Sequence, residues 1–92
     1  MGQLFEDIKR AVREQRYVVS DHADERLRER KIELWQVVSG LESGKLPQER
    51  PGSRPLPTVE VEQLLADGTA VKVVWARVET LDAAKLVTVH FL

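Results

Sequence analysis

The sequence has no cysteine, which excludes disulfide stapling, thiolate zinc sites and a Cys nucleophile. A reducing, cytoplasmic setting fits that absence. Long apolar runs are missing as well. None exceeds a handful of residues, against the roughly 20 that a membrane-crossing helix needs, and the amphipathic start lacks a signal peptide's apolar core. No membrane partner is expected. Charge of one sign is lacking too: 14 Lys and Arg stand against 15 Asp and Glu. Any grip on a polyanion must therefore come from local patches rather than from the field of the whole molecule. Aromatic residues make up only 5% and are not interleaved with the basic clusters, as a base-stacking surface would require. Two histidines in a chain without cysteine make a poor metal site, since a zinc site needs three or four ligands. No metal and no other cofactor is expected.

What is present is an ordinary globular balance over 92 residues, 42% hydrophobic and 32% charged, enough for one domain around one core. Leu4, Phe5, Ile8, Ala11 and Val12 recur at helical spacing and predict a first helix over about 4–16. Tyr17, Val18 and Val19 favour extended backbone and read as a connector or a short edge strand. Ser20 reads as an N-cap, with Asp21, Asp24 and Glu25 behind it, opening a second helix over about 20–31. A third is predicted over about 33–43 from Leu34, Val37, Val38 and Leu41, with Gly44 as its terminator. All four prolines fall between Pro47 and Pro57, so residues 46–57 read as a crossing loop that holds no central strand. Strands follow at about 58–65, 69–78 and 84–92, the first two joined by the turn signal Asp67-Gly68. The expected fold class is α+β, with helices on one face of a three- to four-stranded antiparallel sheet in the order ααα-βββ. On the middle strand both faces carry apolar residues, so the loop, an edge strand or a second copy of the chain is expected over the helix-free face. Trp35 and Trp75 read as core residues.

The densest polar chemistry lies in Ser20-Asp21-His22-Ala23-Asp24-Glu25-Arg26-Leu27-Arg28-Glu29-Arg30-Lys31-Ile32. On a helix His22, Arg26 and Glu29 stack on one surface with Arg30 beside them. An imidazole exchanges protons near neutrality and a guanidinium holds phosphate oxygens bidentately, which together suit phosphodiester cleavage. The same spacing also serves a solvated helix held by i, i+3 and i, i+4 ion pairs, with His22 merely satisfying a junction.

The pattern S-x-H-A-x-x-R-L-x-E-R-x-I, followed by an amphipathic helix, an irregular loop and strands reading D-G-x-x-V-x-V-V and L-V-T-V, resembles the bacterial domain-of-unknown-function family 4258. The resemblance covers residues 17 to 92 and rests on His22, Ala23, Arg26, Leu27, Glu29, Arg30 and Ile32. That family is distantly similar to the RelE, ParE and BrnT toxins, which build helices against an antiparallel sheet and pair with an antitoxin. The resemblance therefore implies a RelE/BrnT-like fold, RNA or an antitoxin protein as partner, and either a metal-free endoribonuclease or a non-enzymatic protein-binding module. One departure is Lys31, where the family pattern usually has Gly. Another is that the sequence ends at Leu92, directly after the last predicted strand, so a nuclease has to find its groups in the helix and the sheet.

His90, expected on one strand face with Thr88 and Leu86, supplies the second imidazole of an acid–base pair. His22, Arg26, Arg30 and His90 are thus the candidate catalytic residues, with Arg28, Lys31 and Lys72 as candidate substrate contacts. Arg10, Arg13 and Arg16 form the other basic cluster, broken by Glu14. The stretch from Arg50 to Pro57 resembles a polyproline ligand only superficially.

Overall fold

The computed structural model describes residues 2–92. Helix α1 (Gln3–Arg13) buries Phe5, Ile8, Ala11 and Val12 on one stripe. It closes with Gln15 in the left-handed region (φ 64°) while the Arg16 and Gln15 amides donate to the Ala11 and Val12 carbonyls, a closure that satisfies two carbonyls left over at the helix end. Its start has no side-chain cap of its own. Glu49, far along the chain, accepts the Phe5 amide at 2.8 Å instead. A Cβ on Gly2 would meet that carboxylate, so a larger residue there would have to displace the Glu49 side chain that caps the helix.

Strand β1 (Tyr17–Val19) leads into α2 (Asp21–Arg30) and α3 (Leu34–Gly40). Helix α2 ends on Lys31 at φ 55°, with the Lys31 and Ile32 amides donating to the Arg28 and Leu27 carbonyls. Leu27 and Ile32 are both buried in the core, the apolar contact that accompanies such a terminus. A backbone in this conformation favours glycine: a side chain in the left-handed region costs roughly 1–2 kcal/mol, against about 0.5–1 kcal/mol of chain entropy lost by glycine. Lys31→Gly should accordingly raise stability by up to about 1 kcal/mol, read as an increased urea midpoint. A lowered midpoint would contradict the assignment.

After a 3₁₀ turn at Leu41–Ser43 come β2 (Lys45–Arg50), β3 (Thr58–Leu64), β4 (Ala70–Val78) and β5 (Ala83–Phe91). They form one five-stranded sheet in the order β1-β5-β4-β3-β2. Two expectations are corrected here. The sheet has five strands rather than three or four, and it is not wholly antiparallel, because β1 runs parallel to β5. The element order is accordingly αβααββββ, not ααα-βββ. The proline-rich stretch hid β2: the register shifts between Lys45 and Gln48 and Leu46 takes φ 52°, so Pro47 falls at an irregularity on an edge strand, where a missing N–H costs least. Gly44 also differs from its expected role. It is extended (φ −60°), and a Cβ there would lie 2.5 Å from Val61 Cγ2.

The three helices bury their apolar residues in one core with Val59, Val61, Val71, Val73, Trp75, Leu86 and Val89 of the sheet. Trp75 is fully buried as expected, but Trp35, expected in the core, is 57% exposed. Leu34, Val37, Val38 and Leu41 face the core, and Trp35 projects off that stripe with its indole N–H on Glu33. One buried polar bridge crosses the interior: Trp75 Nε1 donates to Gln63 Oε1 at 3.3 Å, and Gln63 Nε2 donates to the Val37 carbonyl at 2.8 Å.

At the end of the molecule near the β4–β5 turn, Asp82 accepts from Arg77 at 2.6 Å and pairs with Arg16 at 3.0 Å. Arg77, then Arg16, holds the Asp82 carboxyl below its ordinary value of 3.8. A depressed folded-state pKa stabilises the fold above the unfolded pKa and is lost as pH falls through the folded one. Asp82→Asn should therefore lower the urea midpoint near pH 6 and make little difference once pH is well below 3.8. An equal gap between variant and wild type at both ends would be the contrary result.

Candidate functional site

With all three helices on one face, the opposite face of the sheet is left to its outward side chains. Register places them in three cross-strand rows: Thr58–Ala76–Lys85, Glu60–Val74–Thr88 and Glu62–Lys72–His90. A bulge lies in β5, where the register jumps so that Val74 faces Thr88 and Trp75 faces Leu86. The jump reverses the alternation expected for this strand. Leu86 is fully buried with Trp75, while Lys85, Thr88 and His90 share the helix-free face. The expected grouping of His90 with Leu86 does not occur.

Ser20 ties the start of α2 to that bulge. Its hydroxyl accepts the Ala23 amide at 3.0 Å and donates to the Val87 carbonyl at 3.0 Å, and its own amide donates to the Leu86 carbonyl. The helix thus begins beside β5, and His22, exposed in the first turn, reaches the helix-free side. There it borders a groove of about 420 Å³. Val74, Ala76 and Val87 line its floor. The loop between β2 and β3 forms the far wall, folding back so that Arg50, Arg54 and Leu56 overhang the sheet. The Arg77 amide pins this loop by donating to the Pro57 carbonyl at 2.9 Å.

The groove is electropositive: Arg50, Arg54 and Lys85 line it with one carboxylate, Glu60, and His22 stands beside them. Arg50 Nε donates to Glu60 Oε2 at 3.0 Å, and Lys72 Nζ lies 4.0 Å from Glu60 Oε1. Arg54 and Lys85 form no ion pair among the described residues. Two unneutralised cations over an apolar floor suit an anionic ligand with a flat or apolar body. No group of three or more His, Asp or Glu side chains comes together among the described residues to hold a metal ion.

The candidates named from sequence separate into two sets. His22 opens on the groove, and Lys72 and His90 stand together in the row of the same face next to that of Glu60. His90 lies three positions beyond Val87, about 10 Å along the strand, outside the groove. Arg26 is paired with Glu29, and Arg30 lies 3.7 Å from Glu29 with its guanidinium 5.6 Å over the Phe91 ring. Arg28 pairs with Asp24 at 2.6 Å on the solvent side, and Lys31 is exposed at the helix terminus. None of these four lines the groove. Arg50, Arg54, Glu60 and Lys85 were not singled out from sequence. The outward alternation of β3 and β5 carried a signal for Glu60 and Lys85, but nothing local shows the loop folding back over them.

Among the described residues no helix is long and apolar enough to cross a membrane. No curated protein and no solved structure matches the chain. A family described as a domain of unknown function, DUF4258, matches residues 19–91, a span that includes His22, both walls of the groove and every strand that lines it. On that match, the chain belongs to the DUF4258 family.

Proposed function

We propose that the protein binds single-stranded RNA across its helix-free sheet face and cleaves it without a metal, with His22 moving a proton at the scissile phosphate and Arg54 and Lys85 holding the phosphate oxygens. The observation that carries this reading is the exposed imidazole of His22 bordering a groove that also holds cations with no ion-pair partner. Cations placed where phosphoryl charge develops, next to a group that transfers protons near neutrality, are the minimum for metal-free transesterification. On the resemblance of the DUF4258 family to RelE-, ParE- and BrnT-type toxins drawn from the sequence, an antitoxin protein would be the natural inhibitor. Arg26 and Arg30, ion-paired on α2, have no part in this reading. Lys72 and His90 flank the groove as contacts for the continuing strand.

The test is purified protein with an end-labelled RNA oligonucleotide in the presence of a chelator. Cleavage of the RNA, with DNA of the same sequence intact, is the expected result, and induction in cells should arrest growth. RNA that stays whole, with growth unaffected, would overturn the nuclease reading. A non-enzymatic, protein-binding reading would then stand on one observation: Leu64, Phe91 and Leu92, exposed near one end of the sheet, leave apolar surface for a partner.

A further inference from the structure

Resting on the reading just proposed, we infer that Glu60 is the proton acceptor of the cleavage step, working across the groove from His22. Register sets Glu60 in one row with Val74 and Thr88. Ser20, two residues before His22, is bonded to Val87, the neighbour of Thr88. Glu60 on β3 and His22 at the start of α2 beside β5 therefore border the same groove from its two sides, with the β4 and β5 residues of its floor between them.

The carboxylate is also oriented for this work. Arg50 Nε occupies Oε2 at 3.0 Å. Oε1 accepts no hydrogen bond among the described residues and lies 4.0 Å from Lys72 Nζ. One oxygen is held by a hydrogen bond and the other is left to take a proton. In the cleavage step the ribose 2′-hydroxyl proton passes to Glu60 Oε1 as the O2′–P bond forms. The P–O5′ bond breaks, and the departing O5′ takes a proton from the protonated imidazole of His22. Arg54 and Lys85 neutralise the non-bridging oxygens. The products are a 2′,3′-cyclic phosphate and a 5′-hydroxyl, and proton exchange with water restores both side chains, so no co-reactant is needed. The carboxylate thus takes the acceptor role on one side of the groove, and the imidazole on the other side takes the donor role.

The roles separate by leaving group. An RNA oligonucleotide carrying a bridging 5′-phosphorothiolate at the mapped cleavage site has a leaving sulfur that needs no proton. On ordinary RNA, Glu60→Gln and His22→Ala should each lower kcat by about 10²–10⁴-fold, with oligonucleotide binding by fluorescence anisotropy held to within about threefold of wild type. On the thiolate substrate His22→Ala should recover to within about tenfold of wild type while Glu60→Gln should not. Glu60→Asp, which keeps a carboxylate, should fall between. Glu60→Gln that cleaves ordinary RNA like the wild type, or that the sulfur leaving group rescues, overturns the role of Glu60 and leaves the groove reading intact. A wild type that leaves RNA whole overturns both. Thermal melts of each variant separate misfolding from chemistry, and a Glu60→Asp variant that folds yet is as inactive as Glu60→Ala would also count against the assignment.

Discussion

Trp75→Ala should cost about 3–5 kcal/mol, the range for deleting a large aromatic side chain from a packed interior. Trp75 is fully buried on β4, between the helices and the centre of the sheet. A chain of this length is stable by only about 5–14 kcal/mol, so the variant should lose about a fifth or more of its margin and melt about 15–30 °C lower. The side chain also donates to Gln63 Oε1, and Gln63 in turn donates to the Val37 carbonyl. Gln63→Leu should therefore be nearly as harmful, at about 2–4 kcal/mol, because it strands a buried indole N–H and a helix carbonyl together. Trp75→Phe in the Gln63→Leu background removes one stranded donor and should cost less than the two single changes added together. Urea titration of the four proteins measures this directly. Melting of Trp75→Ala within a few degrees of wild type would show that the bridge and its packing are not central to the fold.

His22→Ala should reduce RNA cleavage by about 10²–10⁴-fold and shift stability by no more than about 0.5 kcal/mol. The side chain is exposed and makes no hydrogen bond among the described residues. Its neighbour Ser20, which caps α2 and anchors it to β5, is the residue whose loss harms the helix. Arg54→Ala and Lys85→Ala should chiefly weaken RNA binding and flatten its dependence on salt, since each removes one phosphate contact. Arg26→Ala and Arg30→Ala serve as controls. Both lie in the family signature, yet they are committed to Glu29 and Phe91 on α2, so cleavage should persist. Cleavage that survives His22→Ala but fails in Arg26→Ala would move the site from the groove to the helix face.

Local pattern accounts for much of this architecture. The spacing of Phe5, Ile8 and Val12 specified α1, Ser20 marked the start of α2 in advance, and Asp67-Gly68 marked the turn between β3 and β4. What escaped was decided by contacts between distant segments. Pro47 argues against a strand until β2 is seen as an edge, where its missing donor faces nothing. The bulge near Val87 carries no turn residue, yet it reverses which side His90 faces. Tyr17 to Val19 is too short to reveal its partner, and its parallel pairing with β5 depends on residues more than 60 positions away. The candidate site divides the same way. His22 was legible because its helix was, whereas Arg50, Arg54 and Glu60 meet it only once the loop closes over the sheet.

The pairing of β1 with β5 also bears on how the molecule comes into being. Within the sheet β1 has no neighbour other than β5, and the N-cap of α2 is bonded to that same strand. Nearly the whole chain must therefore be synthesised before β1 and the start of α2 can settle, and closing so long a loop is slow. Helix α1 is different, because β3 and β4 already offer it an apolar surface. A ribosome-bound fragment halted before Ala83 should consequently be protease-sensitive across β1 and α2, and less so in α1, β3 and β4.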